Sequence, residues 1–246
     1  MEITASYKYD SMLHIEFKFK NKKAIAIMLE DEKKRNGKTI LKTEYFGAFQ
    51  DLQNYLVKRG YTLIFIENRN RWGTPDEIED QYEFIQYASK ELNVSNKVIT
   101  IGMSCGGMIS IHLAAKHPEC IEGLYLDAPV LNYLSCPGRM GIAYDVTDGM
   151  WEEFERAWKM TKSELLTFRE HPLDKLNVLV ENKIPVYMAY GDSDNTVPYT
   201  ENGIALENIY LEKGLKSCLF IDKKVGVDHH PHGPTSEEAV YNFFNK

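Results

Sequence analysis

The period of apolar and polar positions changes along the chain. From Ser11 to Lys20 (S-M-L-H-I-E-F-K-F-K) the two classes alternate, as in a half-buried strand. K-K-A-I-A-I-M-L (Lys22–Leu29) follows closely enough to be its hairpin partner, and the charged D-E-K-K-R-N-G (Asp31–Gly37) is then a loop. Further strands are predicted at Thr39–Tyr45, Thr62–Glu67, Lys97–Gly102, Gly123–Asp127, Pro185–Gly191 and Ser217–Asp222. Between them, 3.6-period runs predict helices over Ala48–Lys58, Pro75–Leu92, Gly107–Lys116, Tyr199–Lys213 and Ser236–Phe244. Such alternation implies an α/β fold, a mostly parallel sheet with helices on both faces. The stretch from about Ser135 to Lys183 breaks the rhythm. It is rich in Trp, Glu, Lys and Met, lacks a convincing strand, and reads as a short helical cap inserted between neighbouring strands. Within it, Trp151, Phe154 and Trp158 fall at i, i+3 and i+7, the spacing of one buried helix face. No internal repeat divides the chain, so residues 1–246 are expected to form a single domain with the insertion at about 135–183.

Composition narrows the partners. The net charge of −7 is spread along the chain, which argues against a nucleic-acid footprint and disfavours anionic membranes. No run of about eighteen apolar residues predicts a membrane span. The N-terminus lacks the basic and apolar regions of a signal peptide. Cys105, Cys120, Cys136 and Cys218 have no C-x-x-C spacing, so a zinc site is not expected; scattered reduced thiols fit the cytoplasm.

The candidate chemistry starts at V-I-T-I-G-M-S-C-G-G (Val98–Gly107), a G-x-S-x-G pattern between a strand and a helix. So sharp a turn strains its central residue and needs small neighbours two places either side. It also lifts the Ser104 hydroxyl clear of the sheet above the positive end of a helix. A serine hydroxyl becomes a nucleophile only when an oriented base takes its proton. Asp194, in Y-G-D-S-D-N-T-V-P (Tyr190–Pro198), is the candidate acid, with Asp192 read as a capping residue and Asp127 as the reserve. His229, in K-V-G-V-D-H-H-P-H-G-P (Lys224–Pro234), is the candidate base, with His230 and His232 as alternatives. H-H-x-H without a nearby carboxylate pattern is weak for zinc, so no metal is expected; His14, His112, His117 and His171 are poor candidates.

With the order Ser…Asp…His, the chain resembles the serine α/β hydrolases from about Lys38 onward. More narrowly, E-Y-F-G-A (Glu44–Ala48), S-C-G-G (Ser104–Gly107), L-D-A-P-V (Leu126–Val130), H-P-L-D-K (His171–Lys175) and D-H-H-P-H-G (Asp228–Gly233) look like a bacterial branch of esterases and prolyl-oligopeptidase-like hydrolases. Some members of that branch accompany carbohydrate-degrading enzymes. The resemblance implies the α/β-hydrolase fold, with Ser104 as nucleophile, His229 as base and Asp194 as acid. Many members carry H-G-x-G after the third strand, where this chain has Glu44-Tyr45-Phe46-Gly47. The first oxyanion donor is then the backbone N–H of Phe46, or of Tyr45 if the loop is shifted by one; the second is that of Cys105. Cys105 contributes backbone only, its thiol being a small packed hydrophobe.

The expected activity is a carboxylic-ester hydrolase working through an acyl-enzyme, without a cofactor, on small acyl esters of carbohydrate or plant-phenolic compounds. A small serine peptidase of the prolyl-oligopeptidase-like type and a catalytically silent hydrolase-like binding protein are the alternatives. N-R-N-R-W-G (Asn68–Gly73) follows a strand and should bring Arg69, Arg71 and Trp72 near the pocket mouth. An aromatic ring beside arginine suits a sugar or a carboxylate, although loop packing and a surface ion pair are the commoner use of such residues.

Overall fold

The computed structural model describes residues 1–229 and 233–246. Its strands are β1 (Glu2–Tyr9), β2 (Met12–Phe19), β3 (Lys22–Leu29), β4 (Thr39–Lys42), β5 (Thr62–Ile66), β6 (Val98–Met103), β7 (Ile121–Asp127), β8 (Val186–Gly191) and β9 (Leu219–Lys224). Among the described residues they form one sheet in the order β1-β2-β3-β5-β4-β6-β7-β8-β9. β1, β2, β3 and β5 pair antiparallel; from β5 to β9 every pairing is parallel. The helices are α1 (Gln50–Lys58), α2 (Pro75–Leu92), α3 (Cys105–Lys116), α4 (Met150–Trp158), α5 (Lys162–Leu165), α6 (Leu176–Glu181), α7 (Gly203–Glu212) and α8 (Glu237–Phe244).

Crossover handedness assigns the faces. The chain steps one way from β4 through α1 to β5, and the other way from β5 through α2 to β6 and from β6 through α3 to β7. Right-handed crossovers of opposite direction place their helices on opposite sides of the sheet. Leu52, Leu56 and Val57 of α1 accordingly share a core with Val240 and Phe243 of α8, over Ile40, Leu63 and Ile101. Phe84, Ile85, Ile109, Leu113, Leu206 and Tyr210 from α2, α3 and α7 fill the other face. Strands covered on both faces read as unbroken apolar runs, and T-L-I-F-I of β5 is buried throughout.

The segment between β7 and β8 contains helices and no strand among the described residues. Leu176 and Leu179 of α6 pack into the main core. Phe154 and Leu165 instead gather with Trp72, Tyr133 and Val197 into a separate cluster beside the strand ends. Of the predicted stripe, Phe154 is fully buried and Trp151 and Trp158 partly so.

Two elements differ from the pattern-based expectation. β1, which the strand assignment above omits, is an edge strand: E-I-T-A-S-Y-K-Y alternates polar and apolar residues, yet all eight are exposed. The helix predicted over Tyr199–Lys213 is divided into a 3-10 turn, Tyr199–Glu201, and α7. Asn202 lies between them, buried, its side-chain oxygen accepting the N–H groups of Leu131 and Asn132 at 2.9 and 3.0 Å. That tie holds the backbone of the segment after β7 and takes Asn202 out of helical geometry.

One ion-pair cluster fixes the loop leaving β5. Buried Glu77, in the first turn of α2, accepts Lys22 Nζ at 2.7 Å and both Nε (2.7 Å) and the backbone N–H (3.2 Å) of Arg69. Without Glu77 the nearly buried Lys22 keeps only Asp80 as its acid partner here, while the half-exposed Arg69 keeps Asp76 and Asp80. Glu77→Ala should therefore destabilise the protein by about 2 kcal/mol, the scale of lost hydrogen bonds to charged groups, measured as a denaturant midpoint shift with an unchanged slope.

Candidate active site

Ser104 lies between the last residue of β6 and the first of α3, with φ 51° and ψ −115°. Left-handed backbone at a residue with a Cβ is strained, and here packing imposes it. A Cβ on Gly102 would stand 2.4 Å from the carbonyl oxygen of Gly106, and one on Gly107 2.5 Å from Pro129 Cβ. Only glycine lets the strand and helix approach so closely. The elbow is further held by the Ser104 N–H, which donates to Asp127 O at 2.8 Å.

The loops after β8 and β9 bring the other two candidates to this point. His229 Nε2 lies 3.1 Å from Ser104 Oγ, and His229 Nδ1 lies 2.8 Å from Asp194 Oδ2. The second carboxylate oxygen, Asp194 Oδ1, accepts the backbone N–H groups of Thr196 and Val197 at 2.9 and 2.8 Å. Burial alone would raise the Asp194 pKa. The hydrogen bond and charge of His229 and the two backbone donors outweigh it, holding the carboxyl below its ordinary 3.8. An ionised carboxylate only accepts, so His229 donates from Nδ1, and Nε2 is left to accept the serine proton. Ser104, Asp194 and His229 are each 6 % exposed, sheltered from bulk water yet open to a small ligand.

The other acids and histidines have different work. Asp192 accepts the Gly226 N–H at 2.7 Å and pairs with Lys223 at 3.2 Å. Asp127 accepts the Gly233 N–H at 2.8 Å and the Tyr125 hydroxyl at 3.1 Å, anchoring the far side of the histidine loop. His230 and His232 lie outside the described residues. His112 is paired with the Tyr133 hydroxyl at 2.7 Å; burial, then Lys175 and His171, pull its pKa down to about 3. His117 faces Glu79 at 2.9 Å, and His171 accepts the Tyr133 N–H at 3.1 Å. His14 lies on β2, stacked on Tyr7.

Two backbone donors flank the serine. Cys105 opens α3, so its N–H has no carbonyl one turn back within the helix. Burial pushes its thiol pKa up to about 11, which leaves the side chain inert. In the loop after β4, the Tyr45 N–H donates to Glu44 Oε1 at 3.2 Å, whereas the Phe46 N–H has no protein acceptor among the described residues. The Phe46 ring turns away to pack on Phe65, centroids 5.0 Å apart.

A cleft of about 460 Å³ opens above the serine, its walls including Tyr45, Arg71, Met150, Thr196 and His229. Arg71 is held by Glu153 of α4 (2.7 Å) and donates to the Tyr45 hydroxyl at 3.3 Å. Burial works against its charge, but Tyr45, Cys105 and Glu153 keep it firmly protonated. Of the three residues expected near the mouth, Arg71 lines this cleft and Arg69 and Trp72 do not. Arg69 instead serves the Glu77 cluster, and Trp72 is buried edge-on against Phe154. Asp145, Thr147 and Met150, which no motif marks, also line the cleft, as does Asp228 of the histidine loop. The segment after β7 mixes polar and apolar residues around Pro129 and Pro137 and gives no period to read.

No group of three or more His, Cys, Asp or Glu side chains able to hold a metal ion occurs among the described residues. Nor is any helix there long and apolar enough to cross a membrane.

Residues 43–166, about half of the chain, match the family defined by the α/β hydrolase fold. The chain belongs to the α/β hydrolase family. Over 133 residues this α/β hydrolase is 29 % identical to the acylamino-acid-releasing enzyme of Rattus norvegicus and 28 % identical to that of Mus musculus. That match covers 52 % of this chain but only 17 % of either relative. Among solved structures, a putative dipeptidyl aminopeptidase IV from Bacteroides ovatus superposes with a TM-score of 0.70 at 16 % identity, covering 96 % of this chain and 35 % of that one. The acylaminoacyl peptidase of Pyrococcus horikoshii gives 0.69 at 13 % identity, covering 92 % and 38 %. At such identities the superpositions establish a shared fold. The narrower likeness to a bacterial esterase branch finds no counterpart in these peptidase relatives.

Proposed function

We propose that the chain is a serine hydrolase that cleaves small acyl esters through an acyl-enzyme. The observation that carries this reading is the unbroken hydrogen-bond chain from Asp194 through His229 to Ser104 Oγ, at 2.8 and 3.1 Å. Ser104 Oγ attacks the acyl carbonyl while His229 Nε2 takes its proton, and Asp194 holds the imidazolium that forms. The amides of Cys105 and Phe46 bind the oxyanion. When the carbon–oxygen bond to the alcohol breaks, His229 returns the proton to the leaving oxygen. Water, activated by the same imidazole, then clears the acyl group. These steps use no cofactor.

The cleft suits a small acyl group joined to a polar alcohol. Arg71 and the Tyr45 hydroxyl offer donors on one side, and Asp145, Thr147 and Asp228 offer acceptors elsewhere on its wall. That lining supports esters of carbohydrate or plant-phenolic compounds as the substrate class. Four free thiols, at Cys105, Cys120, Cys136 and Cys218, fit a reducing cytoplasm.

A second reading, a small serine acyl-peptidase, is favoured by the similarity to acylamino-acid-releasing enzymes. The same three side chains would cleave an amide if His229 protonates the leaving amine. A panel of acetylated sugars, feruloylated and methyl esters, and an N-acetyl-alanyl peptide separates the two. Turnover of esters without release of N-acetyl-alanine is the expected result. Release of N-acetyl-alanine moves the chain to the peptidase reading. No turnover, together with no labelling of Ser104 by a fluorophosphonate, would make it a binding protein.

A further inference from the structure

A lysine lies where a sheet interior ordinarily holds only apolar side chains. Lys42 ends β4, in register with Phe65 of β5 and Ile101 of β6, and is fully buried. Its Nζ has no hydrogen-bond partner among the described residues and sits 5.0 Å from the centre of the Phe49 ring. Away from water, an ammonium is held to an aromatic face more strongly than at a surface.

Phe49 connects this charge to two loops. Its ring meets Tyr125 edge-on at 6.2 Å, and Gly233 lies so close that a Cβ there would stand 3.4 Å from it. Gly233 and Tyr125 both donate to Asp127 Oδ2. Lys42, Phe49, Tyr125, Asp127 and Gly233 thus form one buried cluster under both the loop after β4 and the histidine loop. In the first of these loops Tyr45 and Phe49 adopt left-handed backbone, φ 50° and 59°. Such conformations persist only where the surroundings impose them.

We propose that Lys42 is a positioning residue: from beneath Phe49, facing Asp127 and Glu44, its ammonium locks the oxyanion loop to the histidine loop and so keeps the Phe46 amide in register with His229. The proposal rests on the acyl-transfer reading above. The groups facing Lys42 divide in their effect. Burial pulls its pKa down to about 7, against Asp127 of β7 and Glu44 of the following loop, which favour the charged form. The Tyr125 phenol, which also packs on Phe49, is held protonated by burial. Loss of the Lys42 proton near neutrality then removes both the pull on Phe49 and the attraction to the two carboxylates.

The test is a pH profile of kcat and KM on p-nitrophenyl acetate for the parent and Lys42→Met. In the parent, kcat should fall above about pH 7 with KM unchanged. In Lys42→Met the fall should vanish, with kcat held at the parent's high-pH level, about tenfold or more below its maximum. A variant with the parent's kcat throughout, or with its alkaline fall retained, overturns the proposal. Should methionine loosen the fold, NMR of Ser104→Ala with Lys42 intact decides. The Lys42 Cε signal and the Phe46 and Gly233 amides should share one midpoint. An ordinary lysine midpoint, or amides that do not follow it, overturns the coupling. If the parent hydrolyses nothing while the shared midpoint is present, the loop coupling stands and the hydrolase reading falls.

Discussion

Ser104→Ala should lower kcat on p-nitrophenyl acetate by roughly four to six orders of magnitude, the scale seen when the nucleophile of such a unit is removed. No neighbouring group can replace the hydroxyl. The adjacent thiol of Cys105 is buried, protonated at neutral pH and one position past the apex of the turn. Ser104 Oγ bonds His229 Nε2 and meets the Cys105 thiol, so the variant gives up side-chain contacts while the backbone tie of the elbow to Asp127 remains. Its thermal midpoint should stay close to the parent's, which separates lost chemistry from lost fold. The two oxyanion amides remain, so product should still bind, whereas inhibitors whose carbonyl adds the serine oxygen should not. Stopped-flow release of p-nitrophenol gives the measurement: a parent burst equal to one Ser104 per chain, and none in the variant. Undiminished turnover by Ser104→Ala would end the serine-hydrolase reading.

Local physics explains how much of this arrangement could be read from the residues. The elbow was legible because close approach leaves a chemical trace: Gly102 and Gly107 are glycines where any Cβ would collide with Gly106 and Pro129. The sheet centre was legible because burial on both faces produces runs such as T-L-I-F-I. Local pattern ranks Asp194 ahead of Asp127 as the acid, although both follow apolar strands. Packing makes the difference, sending one carboxylate to Gly233 and the other to His229. The burial of Lys42 and Trp72 leaves no local trace, for a common reason. Hydropathy treats a lysine in a strand as an exposed position and a loop tryptophan as available to ligand, whereas both are fully enclosed by contacts distant in sequence. β1 carries the alternation E-I-T-A-S-Y-K-Y without burying either face, so here the period marks the strand but not a core.

Asp194→Asn should reduce kcat by about four orders of magnitude with the fold retained, because it reverses the histidine tautomer. The backbone N–H groups of Thr196 and Val197 both point at Oδ1. In the asparagine variant they select the carbonyl oxygen for that position and turn the amide NH2 toward His229. Nδ1 must then accept instead of donate, which moves the imidazole proton to Nε2, the atom that has to take the proton of Ser104. The site would be occupied and well ordered, yet unable to act as a base. The same carboxylate links the site to stability. Its pKa is depressed in the folded protein, so its contribution is fully present above the ordinary carboxyl value of 3.8 and is lost as pH falls through the lower, folded value. The parent should therefore lose stability in that acid window more steeply than Asp194→Asn, which has no proton to gain there. Paired measurements of kcat at neutral pH and of urea midpoints on either side of pH 4 test both halves. A variant that retains a tenth or more of the parent's kcat would assign the orientation of His229 to some other group.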